Sequence, residues 1–176
     1  MSQYTPITGT ITQIDWHGTG PRQLGCSLLF TIDTPSQGIV TMTLDGSAFV
    51  LNTWPLQIGD RVTFFYENTA PAPLIFPPRY RTAAAAHTPE GTTAVLDVFT
   101  RLPDGTQLAA SDGSLRLNIR PETWVTLPNG QPFGGELSGK LMMVLYTTST
   151  RSIPPQTSPE QVVVFCAEEQ PTAGLS

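Results

Sequence analysis

Short apolar runs rich in β-branched and aromatic residues recur along the whole chain, and Gly, Pro, Asn and Asp interrupt them every few positions. This pattern is typical of short strands and disfavours long helices. In the first half it predicts strands near residues 7–16, 24–32, 38–44, 60–67 and 80–87. In the second half it predicts strands near residues 93–100, 106–110, 114–120, 139–147 and 160–167. The chain is therefore expected to be all-β.

The first predicted strand does not alternate regularly between apolar and polar residues. Ile11 and Ile14 would lie on opposite faces of a regular strand, so its buried face is not assigned. Gly- and Pro-containing segments at 18–21 and 70–73 are predicted to break the strands.

The two halves of the sequence repeat one another. Met42, Leu44, Phe49 and Val50 are matched at the same spacing by Leu117, Ile119, Trp124 and Val125. The segment 59–66 is similarly matched by 139–146, and each half then contains a diproline, Pro77-Pro78 or Pro154-Pro155. This recurrence predicts an internal duplication with units at 1–90 and 91–176, the second ending in a short disordered tail, and with matched apolar residues at equivalent interior sites.

Each predicted unit has five strands with a longer connection between the third and the fourth. That layout is typical of an OB-like five-stranded barrel, and the predicted fold is two such barrels in tandem. A β-sandwich is the alternative. The long connections span residues 45–59 and 121–139, where Pro55, Pro128 and Pro132 favour a short helix or none.

Charge and apolar content narrow the classes of partner. Nine Lys plus Arg against fourteen Asp plus Glu give a net charge of −5, which repels a polyphosphate backbone, so nucleic acid is an unlikely partner. A single-stranded nucleic-acid-binding OB protein is kept as an alternative function. No apolar run approaches the ~18 residues of a membrane span, and the N-terminus has no signal-peptide pattern. The expected location is the cytoplasm, with export as the alternative if a signal has been removed.

The residues give little support for catalysis, a cofactor or a metal. His17 and His87 have no third ligand at a useful spacing and are expected to be exposed loop residues, and the GxSxG motif is absent. Cys26 and Cys166 are far apart in the sequence; buried thiols are the expectation and a disulfide is the alternative. We therefore expect a protein that is not an enzyme, with an enzyme of unknown class as an alternative.

A ligand-binding or protein-interaction module is the favoured function, because OB barrels bind ligands with one sheet face and the adjoining loops. Several aromatic residues lie near those predicted places, among them Trp16, Phe99 and Tyr146, although aromatic residues of an ordinary core give the same pattern. Arg79 and Arg81 bracket Tyr80 and favour an anionic or sugar-like ligand. The stiff diproline loops are predicted to present Phe76, Arg79, Tyr80, Arg151 and Gln156 to a protein, peptide or glycan. Tyr66, a possible stacking residue, completes the candidate ligand-binding residues.

Three segments of the second half, LRLNIRPETWV at 115–125, SGKLMMVLYTTSTRSIPPQ at 138–156 and VVVF at 162–165, occur in a characteristic order. This series resembles a family of uncharacterised clostridial proteins with a T-R-S-x-P-P-Q motif, whose members are often linked to copper-amine-oxidase-like N-terminal domains. In the first half, GTITQI, GDRVTFFY and LIFPPRYRTAAAA look like a sister version of the same module. The resemblance implies a tandem β-barrel architecture, and it provides no activity that can be assigned to this chain.

Overall fold

The computed structural model describes residues 3–17, 25–51, 55–68, 74–103 and 105–166. The predicted breaks at 18–21 and 70–73 lie outside these residues. The predicted tail beyond residue 166 lies outside them as well. The chain divides between Gly91 and Thr92 into an N-terminal and a C-terminal unit.

Every regular element among the described residues is a strand, so the predicted all-β class is confirmed. The N-terminal unit contains β1 (Tyr4–His17), β2 (Ser27–Thr34), β3 (Gly38–Asp45), β4 (Phe49–Leu51), β5 (Arg61–Glu67), β6 (Arg79–Arg81) and β7 (Ala84–His87). The C-terminal unit contains β8 (Thr93–Arg101), β9 (Leu108–Ala110), β10 (Arg116–Leu117), β11 (Trp124–Thr126), β12 (Lys140–Tyr146), β13 (Gln156–Thr157) and β14 (Gln161–Phe165). No described helix is long and apolar enough to cross a membrane.

Each unit is one seven-stranded mixed sheet. The strand orders are β4-β7-β5-β1-β2-β3-β6 and β11-β14-β12-β8-β9-β10-β13, so the two sheets have the same order. The described ladders form no closed barrel and are consistent with a sandwich-like all-β fold, the alternative expected from the sequence. Each unit has two more strands than expected. One, β4 or β11, forms in the long connection; the other arises because the predicted strand 80–87 is divided into β6 and β7, and because β13 precedes the predicted strand 160–167.

Strand β1 connects the two halves of the N-terminal sheet. Its first part, from Tyr4 to Thr10, pairs with β5, and its second part, from Thr10 to His17, pairs with β2. The register shifts between Ile11 and Gln13, a β-bulge that adds one residue to the strand. The bulge explains the irregular sequence pattern, because Ile11 and Ile14 can both pack against the core.

The core of the N-terminal unit lies between the two halves of its sheet. Phe30 of β2 and Phe64 of β5 are fully buried there, with ring centroids 5.7 Å apart. Alternate residues of β3, Val40, Met42 and Leu44, face the same core, as expected for a strand with one buried face. The period-two pattern of the sequence therefore decides which side of each strand is buried.

Residues matched in the sequence take matching positions in the two sheets. Met42 pairs with Tyr80 and Leu117 with Thr157, and both Met42 and Leu117 are fully buried. The prediction that all matched residues are interior is nevertheless wrong for Trp124, which is 60% exposed. This residue is at the start of a three-residue strand, where burial is incomplete.

Candidate functional site

The candidate residues of the N-terminal unit meet at β6. Tyr80 of β6 stacks on Tyr66 of β5, with ring centroids 4.2 Å apart and ring planes at 19°. Both rings are half-buried and pack against the core cluster. Each ring therefore has one face covered by the other ring. The pair packs against the core and does not offer two separate stacking platforms to a ligand.

The surroundings of Tyr80 shift the pKa of its phenol. Burial of the phenol raises the pKa of Tyr80 above its ordinary value, and the adjacent Tyr66 raises it further. Both effects favour the neutral phenol. Tyr80 therefore acts as a neutral group near neutral pH.

Arg81 is fixed by a polar network at the end of β3. Its Nε donates to Asp45 Oδ2 at 3.3 Å, and its Nη2 donates to Ser47 Oγ at 3.0 Å. The Ser47 backbone N–H and hydroxyl both donate to Asp45 Oδ1, at 2.9 and 2.5 Å. These bonds, the Ser47 hydroxyl first, lower the pKa of Asp45. The carboxylate stays ionised and orients the guanidinium.

An open cleft of about 210 Å³ lies beside this network. It is lined by Ser47, Glu67, Arg81, Thr82 and Ala83. The segment from Thr82 to Ala83 forms its floor because it crosses between the halves of the sheet: Thr82 N donates to Thr43 O at 2.9 Å and Ala83 N to Phe65 O at 2.7 Å. The cleft thus presents the Arg81 guanidinium, the Glu67 carboxylate and the Ser47 hydroxyl beside a segment fixed by backbone hydrogen bonds.

Two buried polar atoms near the cleft have no hydrogen-bond partner in the described structure. They are Arg79 Nε and Thr82 Oγ1, and the whole of Thr82 is only 2% exposed. Buried polar groups in native proteins are nearly always paired with protein, water or ligand. Two such atoms within four residues therefore make the segment 79–82 unusual among the described residues.

The other predicted site residues are placed differently. Phe76 is 92% exposed in the loop before β6, away from the tyrosine stack. In the C-terminal unit Arg151 is exposed, whereas Gln156 is half-buried and accepts a hydrogen bond from Gln107 Nε2 at 2.8 Å. Gln156 therefore has a structural partner.

The remaining candidates are ordinary structural residues. Phe99 is fully buried in the core of its unit, and Trp16 is 71% exposed at the end of β1. His17 and His87 end strands β1 and β7 and are half-buried, which corrects their assignment to exposed loops. The described residues contain no cluster of three metal-ligating side chains.

Cys26 is exposed, contrary to the buried thiol expected from its residue type. Cys166 is half-buried and packs against the core of the C-terminal unit. The expectation of burial is thus wrong for the first cysteine and met in part by the second.

Sequence reasoning missed most of the cleft. Glu67, Ser47 and Thr82 were not candidates, and only Arg81 was recognised as part of a cationic patch. The Asp45-Gly46-Ser47 sequence carries a weak signal, since Asp often accepts from a backbone N–H two residues later in a turn. Nothing in the sequence distinguishes Thr82, because its importance comes from burial.

A scan against protein-family models finds no match to this chain, and a search of curated proteins finds no similar sequence.

Proposed function

We propose that the protein is a non-enzymatic ligand-binding module, and that the cleft beside β6 binds a small, neutral, polyhydroxylated ligand such as one sugar unit. The observation that carries the proposal is an open cleft lined by the Arg81 guanidinium, the Glu67 carboxylate and the Ser47 hydroxyl. Sugar hydroxyls both donate and accept hydrogen bonds. A lining with a guanidinium donor, a carboxylate acceptor and hydroxyl groups suits both roles.

The charges of the cleft favour a neutral ligand over the anionic one. Arg81 is paired with Asp45 at 3.3 Å, and Glu67 adds a second carboxylate. Two carboxylates and one guanidinium leave one negative charge. An anion would be repelled by this charge as well as by the net charge of −5.

The size of the cleft predicts weak binding of a small ligand. Its volume of about 210 Å³ is below the roughly 300–1,000 Å³ of sites for drug-sized molecules. About a dozen ligand atoms, at roughly −0.3 kcal/mol each, correspond to a Kd on the order of millimolar. Tighter binding would require a longer ligand that extends beyond the cleft.

The proposal fits an OB-like architecture for each unit. In the N-terminal unit β1 pairs with both β2 and β5, and β6 runs parallel to β3. If β6 and β7 are counted as one strand, this is the order expected of an OB fold. The shared strand order of the two sheets supports an origin by internal duplication, and the T-R-S-x-P-P-Q motif supports membership of the clostridial family.

Saturation-transfer NMR with neutral mono- and oligosaccharides, and with inorganic phosphate for comparison, tests the proposal. Arg81→Gln and Glu67→Gln should each weaken binding of a responding sugar at least about tenfold, since each removes a charged hydrogen-bonding group that lines the cleft. Arg120→Gln is the matched control, because Arg120 Nε also donates to a serine, Ser158 Oγ, at 2.8 Å, but in the C-terminal unit.

The outcomes are distinct. Sugar binding that survives in Arg120→Gln and is lost in Arg81→Gln and Glu67→Gln supports the cleft. Absence of a response to every neutral sugar at about 20 mM, several times the expected Kd, refutes the proposed ligand class. A response to phosphate alone contradicts the charge argument.

A further inference from the structure

The loop before β6 presents consecutive apolar side chains to solvent. Leu74 is 104%, Ile75 45% and Phe76 92% exposed, and we call these three residues the apolar tip. Values near 100% mean that little of the protein covers these side chains, so the tip projects. Single exposed apolar residues are ordinary, but a contiguous group marks a contact surface for a protein or a membrane.

The base of the apolar tip is fixed to the sheet. Pro78 O accepts hydrogen bonds from Thr41 N at 2.9 Å and from Thr41 Oγ1 at 3.1 Å. Pro77 and Pro78 restrict φ between the tip and this anchor. The apolar side chains are thus held outward, and binding through them would lose little conformational entropy.

The equivalent loop of the C-terminal unit repeats the arrangement in smaller form. Ile153 is 99% exposed immediately before its diproline, and Pro155 O accepts from Arg116 N at 3.0 Å, as Pro78 O does from Thr41 N. Arg151 is exposed two residues before Ile153. An exposed apolar residue before an anchored diproline therefore occurs in both units.

The charge of these loops differs from that of the whole protein. Residues 74–81 contain two arginines and no acidic residue, and residues 147–156 contain one arginine and no acidic residue, in a chain of net charge −5. Arg81 is neutralised by Asp45 at 3.3 Å, which leaves Arg79 as the cation nearest the tip.

We infer that the apolar tip docks onto the interfacial region of a phospholipid bilayer, with Arg79 at the level of the lipid phosphates. A projecting tip fits a protein only if the partner has a complementary groove, whereas a bilayer accepts any projecting apolar group. Cations next to such a group complement lipid phosphates. The absence of acidic residues from both loops favours this partner over a second protein.

The area of one tip limits the strength of docking. A single myristoyl chain gives a binding constant near ~10⁴ M⁻¹, and three partly inserted side chains bury less, so about 10³ M⁻¹ is expected. Roughly half of the protein should then be bound at ~1 mM accessible lipid. Docking is therefore reversible.

Vesicle flotation tests the inference with phosphatidylcholine vesicles and with vesicles that also contain about 30% phosphatidylglycerol. Leu74→Ser/Phe76→Ser should lower binding to both at least about fivefold. Arg79→Gln should lower it mainly on the anionic vesicles and at low salt. Ile58→Ser, at an apolar residue 65% exposed elsewhere in the unit, is the control and should bind like the wild type.

Absence of wild-type flotation, or full retention by Leu74→Ser/Phe76→Ser, overturns the inference. Tip-dependent dimerisation in light scattering without flotation also overturns it, because a second copy is then the occupant. Thermal melting shows that the variants fold. The result is independent of the cleft, since Glu67→Gln should float like the wild type on phosphatidylcholine vesicles and the tip variant should keep any sugar binding.

Discussion

Gly9 is the position where the structure most clearly excludes a side chain. A Cβ built on this residue of β1 would lie 2.7 Å from Asp33 O, 3.2 Å from Asp33 C and 3.0 Å from Thr34 Cγ2. Two of these atoms belong to the backbone of β2, which is held by its pairing with β1 and β3. The strand would have to move to accept Gly9→Ala.

The expected cost follows from two opposing effects. Overpacking against a constrained neighbour typically costs about 1–3 kcal/mol. The lower backbone entropy of alanine in the unfolded chain offsets about 0.4–1 kcal/mol. Gly9→Ala should therefore lower the free energy of unfolding by roughly 1–2 kcal/mol.

Urea unfolding followed by circular dichroism measures this change as a lower midpoint at similar slope. Gly46→Ala is the matched control, because nothing lies within 4 Å of the added Cβ and its backbone is not left-handed. The control should be neutral or slightly stabilising. If both variants unfold at the same urea concentration, the close approach of β1 and β2 does not constrain the fold and the reasoning is wrong.

Two further predictions concern polar groups. Thr82→Val should raise the free energy of unfolding of the ligand-free protein by about 1 kcal/mol in urea titration, because it removes a buried unpartnered hydroxyl and keeps the shape of the side chain. A loss of stability would mean that the hydroxyl already has a hydrogen-bond partner. Hydrogen bonds from Arg101 and then from the Ser138 N–H lower the pKa of Glu136 to about 2. The stability that the ionised Glu136 adds to the folded protein is therefore present above the unfolded pKa near ~4.3, and it is lost as the pH falls towards 2. Thermal melts of Glu136→Gln between these pH values should show a smaller decrease than the wild type, and parallel curves would contradict this.

The strand pattern could be predicted because each half-sheet buries one face. Alternation identified the main strands within a few residues, including β3 at Gly38–Asp45 and β5 at Arg61–Glu67. The short strands β4 and β11 were missed, since three residues in a proline-containing connection carry no periodic signal. The division of the fifth strand also depends on tertiary structure, because Thr82 and Ala83 bond to different strands.

Less of the site could be predicted, because a site depends on which side chains meet. Residue type identified Tyr66 and Tyr80 as candidates, but only the pairing of the strands makes them stack on each other. Phe76 was placed with them because it is close in sequence, whereas its loop projects it into solvent. The cleft brings together Ser47, Glu67 and Arg81 from separate parts of the chain, which local sequence does not encode.

The C-terminal unit has the same strand order, and comparison with it shows which residues the fold requires and which are particular to the cleft. Pairing with β10 places Gln156 and Thr157 where Arg79 and Tyr80 lie in the N-terminal unit, so the strand order does not require the arginine or the tyrosine. One side-chain contact occurs at the equivalent place in both units, but with different residue types.

That contact is between Asp45 and Arg81 in one unit and between Arg120 and Ser158 in the other. Its place in the sheet is structural, because both units make it with different residue types. The acidic partner that orients a guanidinium beside an open cleft is found at this position only in the N-terminal unit. Loss of sugar binding in Arg81→Gln but not in Arg120→Gln would therefore reflect chemistry of this cleft rather than a general weakening of the sheet.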